Sequence, residues 1–149
     1  MLLWAQSPPE IPVDYEQVDL IGVMRGTGER FSLSVSCLPR NHEDGRAPAV
    51  SFLGTDGQKP KCVMQHPRLT VGGDLVPLPG KSYSDLADIA LPRGVYVTSR
   101  TGLFILHVEG GDGVAAYKVR FMIKNKHVVA REVEALDASG ETKVARTAF

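Results

Sequence analysis

The chain of 149 residues carries 17 Lys+Arg against 17 Asp+Glu, a formal net charge of zero, and is 43% hydrophobic, proportions typical of a globular domain that buries about 70% of the surface exposed by its unfolded chain. Zero net charge removes the long-range pull toward nucleic acid or an anionic membrane. No apolar run approaches the roughly eighteen residues that a membrane-spanning helix requires.

The first residues, Met1 Leu2 Leu3 Trp4 Ala5 Gln6, form a short apolar burst, then a small residue, then polar and proline-rich sequence. They resemble the tail of a signal peptide, which predicts export to the periplasm or the exterior. The alternative is a cytosolic terminus with an incidental apolar start. Residues 1–16 read as an extended lead-in, and 17–149 as a single β-domain. From Val18 to Met24 and from Phe31 to Cys37 run β-branched, apolar segments, the second alternating with Ser32, Ser34 and Ser36. Two such runs around Gly26 and Gly28 predict a hairpin with one buried face. A phosphate-binding reading of these glycines needs a following helix, and the period-two pattern denies it.

Farther along, residues 39–48 read as a loop, 49–53 as a short strand and 55–58 as a turn. A strand through Cys62, Val63 and Met64 has a proline near each end, Pro60 and Pro67, which predicts an edge position. The expected helix is a short one near 82–91: Ser82 and Asp85 imitate a capping box, Leu86, Ile89 and Ala90 share a helical face, and Pro92 and Gly94 close it. Four strand-like runs follow, at 95–99, 103–109, 114–124 and 128–136. In the third, Tyr117, Val119, Phe121 and Ile123 alternate with Lys118, Arg120, Met122 and Lys124, placing one set in the core. The second is apolar on both parities except at His107, which predicts a strand packed on both sides. The pattern predicts an all-β, mainly antiparallel sandwich or small barrel of about seven to nine strands.

The run Leu20 Ile21 Gly22 Val23 Met24, the alternation from Phe31 to Val35, and Val71 Gly72 Gly73 Asp74 Leu75 resemble parts of the small β-domains of periplasmic secretion-system and pilus-assembly subunits. That resemblance assigns no residue a role.

The two cysteines, Cys37 and Cys62, are a disulfide candidate, and an even count suits an exported chain. Two separate buried thiols are one alternative. Zinc is the other: Cys37 and His42, with Cys62 and His66, provide four ligands for a tetrahedral site. The readings exclude each other, because zinc needs thiolates. Carboxylates at Glu43, Asp44, Glu109 and Asp112 beside glycines read as turn chemistry rather than a calcium loop. Between Tyr117 and Arg131 lie five basic residues and no acid, and Lys118, Arg120 and Lys124 share a strand face that offers a stripe to an acidic partner. No catalytic motif is present, and no cofactor is expected.

The reading that follows is a non-catalytic exported domain acting by protein contact, through an edge strand or the Lys118, Arg120 and Lys124 face, with edge-strand homodimerisation as one form of it. The alternatives are a ligand-binding barrel or enzyme with a pocket near His107, and a zinc-stapled binding module.

Overall fold

The alternation of Phe31, Leu33, Val35 and Cys37 with serine decides which face of its strand is buried: Leu33, Val35 and Cys37 are at most 1% exposed, and the serines lie on the other face. The computed structural model describes residues 16–39, 52–55, 59–100 and 102–149. The lead-in through residue 15, the loop from residue 40 onward with His42, Glu43 and Asp44, the expected strand through residue 51, and turn residues 56–58 lie outside them.

Among the described residues, nine strands form two antiparallel sheets. The first contains β1 (Glu16–Val23), β2 (Arg30–Leu38), β3 (Val63–Val71) and β4 (Asp74–Val76), in that order. In the second, β5 (Val95–Arg100), β6 (Leu103–Gly110), β7 (Tyr117–Lys124), β8 (His127–Leu136) and β9 (Thr142–Ala148) form a meander. The β1–β2 hairpin turns where expected, with Gly26 and Gly28 at φ 95° and 73°, a region that costs glycine nothing. None of these nine described strands is shared between the sheets, so the fold is an open sandwich, and the barrel alternative is not realised. Between the layers, Phe31 of β2 meets Phe104 of β6 edge-to-face, with ring centroids 5.3 Å apart, within a core that includes Leu33, Leu69, Leu106, Val119 and Phe121.

Three local expectations are corrected. β3 is an interior strand despite Pro67, because the β2–β3 register jumps from Ser34↔Arg68 to Ser36↔Gln65. His66 and Pro67 together face Val35 at this bulge, where a missing N–H breaks no ladder bond. β6 is interior to its sheet but packed on one face only: Phe104, Leu106 and Val108 are buried, whereas Leu103, Ile105, His107 and Glu109 are half-exposed.

The third concerns the helix, which is a single turn, α1 (Gly80–Tyr83), that ends before most of the expected span. Beyond it the chain crosses between the layers. Leu86 and Ala87 bridge to Leu53 and Val63, and Ile89 bridges to Gly110. The Asp85 carboxylate is engaged by Arg131 rather than capping a helix. Asp88, at φ 48°, accepts the Lys61 and Cys62 backbone N–H groups. Tertiary bonding thus outweighs a modest helical preference.

This crossing segment closes over Tyr117, whose hydroxyl donates to the Ala87 carbonyl at 2.7 Å. Burial, with the Asp85 and Asp88 charges nearby, pushes the phenol's pKa upward. The ring leaves no room at Gly110, where a Cβ would lie 2.6 Å from the Tyr117 hydroxyl and 2.8 Å from the Asp88 carbonyl. Gly110→Ala is expected to lower unfolding free energy by about 1–3 kcal/mol, as read from urea titration; an unchanged midpoint would contradict this packing.

Candidate contact surface

The alternating parity of β5 to β8 sends two transverse rows of side chains to the outer face of the five-stranded sheet. One row runs Tyr96, His107, Arg120, Glu132 and Arg146, each opposite the next across neighbouring strands. The adjacent row runs Glu109, Lys118, Glu134 and Val144. The sequence-derived candidates His107, Lys118 and Arg120 are therefore neighbours, whereas Lys124 lies at the β7–β8 turn opposite His127.

Arg120 does not present a free charge. Its guanidinium reaches Glu134 at 3.2 Å and Glu132 at 3.6 Å, and Glu132 also pairs with Arg146 at 3.6 Å. The five-cation excess in sequence is balanced across strands, since Glu109, Glu132 and Glu134 lie outside the stretch that contains it. Lys118 and Lys124 remain exposed.

His107 faces away from the core. Its ring stacks on Tyr96 with centroids 4.4 Å apart and planes 9° from parallel, and its Nε2 is 2.7 Å from the Thr98 hydroxyl. The Tyr96 hydroxyl donates to Glu109 at 2.6 Å, a bond that raises the phenol's pKa. Partial burial of His107, followed by the Arg120 charge, holds its pKa below the ordinary value of 6.5 against a smaller opposing effect of Glu109. A depressed native pKa means that the unfolded chain binds the proton first as pH falls, so this contribution to stability is present above about 6.5 and lost through the window below. Wild-type protein should show a lower urea midpoint at pH 5.5 than at pH 7.5, and His107→Gln should show a smaller difference. Equal differences in the two proteins would rule out His107 as the source.

Cys37 and Cys62 form a disulfide with both residues buried. Neither sulfur is then a thiolate, so the zinc alternative loses two of its four ligands. Of its other two, His66 is exposed at the β3 bulge and His42 lies outside the described residues. Among the described residues no group of three or more His, Cys, Asp or Glu side chains is placed to hold a metal.

At the end of the sandwich bearing the β1–β2, β3–β4 and β7–β8 turns, Lys126 ties the three together, reaching Asp74 at 2.7 Å and Glu29 at 3.4 Å. The Lys126 hydrogen bond holds the Asp74 carboxyl below the usual range. Lys126 and Glu29 also line an open groove of about 350 Å³, together with Met24, Arg25, Val71, Arg100, Phe104 and Ile123. Neither Arg25 nor Arg100 is paired with a carboxylate among the described residues.

The feature that sequence reasoning missed is β9. All seven of its residues are exposed, on both faces, and among the described residues β8 is the one strand it pairs with. Val144 is 57% exposed and Phe149, just beyond, 50%. The sequence does hold a signal: Asp137 Ala138 Ser139 Gly140 is turn chemistry, and Asp137 accepts the Ser139 and Glu141 N–H groups. Thr142, Val144 and Thr147 beyond it favour extended backbone.

Among the described residues no helix is long and apolar enough to cross a membrane. Comparison with known protein families, curated proteins and solved structures finds no match to the chain.

Proposed function

We propose that the protein is an exported, non-catalytic β-domain that acts by protein contact, and that its contact element is the open edge of β9. The observation that carries this reading is a seven-residue strand exposed on both faces and, among the described residues, paired on one side. Such an edge presents a row of backbone donors and acceptors that a second strand can satisfy without any side-chain motif. The disulfide supports export, since such bridges persist in oxidising compartments. The cross-strand neutralisation of Arg120 favours the edge over the Lys118, Arg120 and Lys124 face as the point of contact.

A photocrosslinking residue at position 144, and for comparison at position 118 or 124, tests the reading in cells that make the protein. Adducts from 144 alone are expected. Adducts from 118 and 124 alone would transfer contact to the basic face, and none from any position would overturn the reading.

A ligand-binding role is favoured by the groove at the turn end rather than by His107, because Arg25 and Arg100, neither paired with a carboxylate among the described residues, line it together with the apolar Met24, Val71, Phe104 and Ile123, while Glu29 there is held by Lys126. Thermal stabilisation by a medium-chain carboxylate such as decanoate, lost in Arg25→Glu/Arg100→Glu, would support it, and no shift in wild type would remove it.

A further inference from the structure

Each strand of an antiparallel pair directs alternate residues' backbone groups to its partner and the rest away from it. Two bonds flanking the β8–β9 ladder fix its phase: Asp137 N–H donates to the Glu141 carbonyl, and Phe149 N–H donates to the Val129 carbonyl. With Leu136↔Thr142 through Ala130↔Ala148 in register, Lys143, Ala145 and Thr147 direct their backbone groups to β8. Thr142, Val144, Arg146 and Ala148 direct theirs to the open edge.

A second copy of β9 can meet this edge about a two-fold axis, and side-chain chemistry separates the registers. An axis at Lys143 sets lysine against lysine, and one at Arg146 sets arginine against arginine, both unfavourable. An axis at Val144 places Ala148 opposite Gly140, beyond the partner strand. An axis at Ala145 pairs Thr142 with Ala148 and Val144 with Arg146, so all four edge-directed residues find backbone partners within the two strands. It also sets Lys143 opposite Thr147, with no like charges facing. Ala145 then occupies a non-hydrogen-bonded pair, where Cα atoms approach to about 4.5 Å and a methyl group fits. Cationic side chains on an edge strand normally discourage pairing; in this register each one faces an uncharged residue.

We propose, resting on the reading of β9 as the contact element, that its partner is β9 of a second copy, paired antiparallel about Ala145 so that two five-stranded sheets become one continuous sheet. A single-strand interface is small, so association is concentration-dependent in the micromolar range or weaker.

Sedimentation velocity from about 1 µM to 1 mM tests this on wild type, Ala145→Glu, Ala145→Lys and an equal mixture of the two variants. Wild type is expected to shift from monomer to dimer, each variant alone to remain monomeric because like charges meet on the axis, and the mixture to recover the dimer. Wild type monomeric throughout, a dimer persisting in either variant, or a mixture that stays monomeric would overturn the proposal. Amide hydrogen exchange on wild type needs no variant to fold: protection at Thr142, Val144, Arg146 and Ala148 should rise with concentration, and flat protection overturns self-pairing. If self-pairing fails but a crosslinker at 144 captures a different chain, the contact reading survives; if 144 captures nothing, both fail.

Discussion

Replacing Cys37 and Cys62 together by alanine is expected to lower the free energy of unfolding by about 3.5 kcal/mol. The bridge spans a sequence separation of 25, and closing a loop of that length removes conformational freedom chiefly from the unfolded chain, by roughly that amount. The bridge ties the end of β2 to the residue preceding β3, and both residues belong to the core. Truncation to alanine adds a packing loss in the same direction. For a chain of this size the melting temperature should fall by about 10 °C. Urea unfolding of the oxidised protein, the reduced protein and the double variant provides the measurement. A loss below about 1 kcal/mol in the variant would show that the loop is already restrained when unfolded. Mass analysis with thiol alkylation of protein taken directly from cells adds a test of location: alkylation only after reduction supports an oxidising compartment, and free thiols would count against export.

The strands most legible in the sequence are those with one buried face. In β2 and β7 the alternation is clean, and Leu33, Val35, Val119 and Phe121 are buried as that pattern requires. β9 carries no such alternation because neither of its faces is covered, so periodicity has nothing to report there. The residues of 82–91 misled for the opposite reason. Leu86 and Ile89 are buried, as on a helical face, but the segment that carries them bonds to the sheets on either side: the Leu86 carbonyl accepts from Met64 N–H, and Ala90 N–H donates to the Glu109 carbonyl. Pro67 marks a bulge rather than an edge, a distinction that depends on a partner strand remote in sequence.

The candidate surface was only partly readable because its chemistry is assembled across strands. The pairing of Cys37 with Cys62 was among the alternatives, and cysteine count alone does not separate a bridge from free thiols or metal. The basic stripe was real in sequence, yet its charge balance depends on Glu109, Glu132 and Glu134, which only the sheet register brings beside Lys118 and Arg120. The sequence sets His107 within a strand, and the open sandwich turns its side chain to the outer face, where it meets Tyr96 and Thr98.

Arg131→Met is expected to cost about 2–3 kcal/mol, although it replaces a charged side chain with an apolar one at a position facing the sandwich interior. Arg131 stands opposite Phe121 with only 11% of its side chain exposed. Its guanidinium grips both Asp85 carboxylate oxygens, at 2.8 and 2.7 Å, and donates to the Ser82 carbonyl at 2.7 Å. Removing it leaves a partly buried carboxylate and a carbonyl without their donor, a larger penalty than the net worth of the ion pair itself. Arg131→Lys should recover little, since an ammonium cannot reproduce the two-pronged geometry. Asp85→Ala combined with Arg131→Met should cost less than the two single changes added together, because the second change then strands no charge. Additive losses in urea unfolding would instead show that Arg131 acts by packing alone. Because Asp85 belongs to the segment whose Leu86, Ala87 and Ile89 bridge to Leu53, β3 and β6, amide exchange at Leu86 and Asp88, which donate to Tyr83 and Cys62, should rise in Arg131→Met before exchange in β7 does. That order would identify the crossing segment, rather than the sheet, as the first part of the sandwich to open.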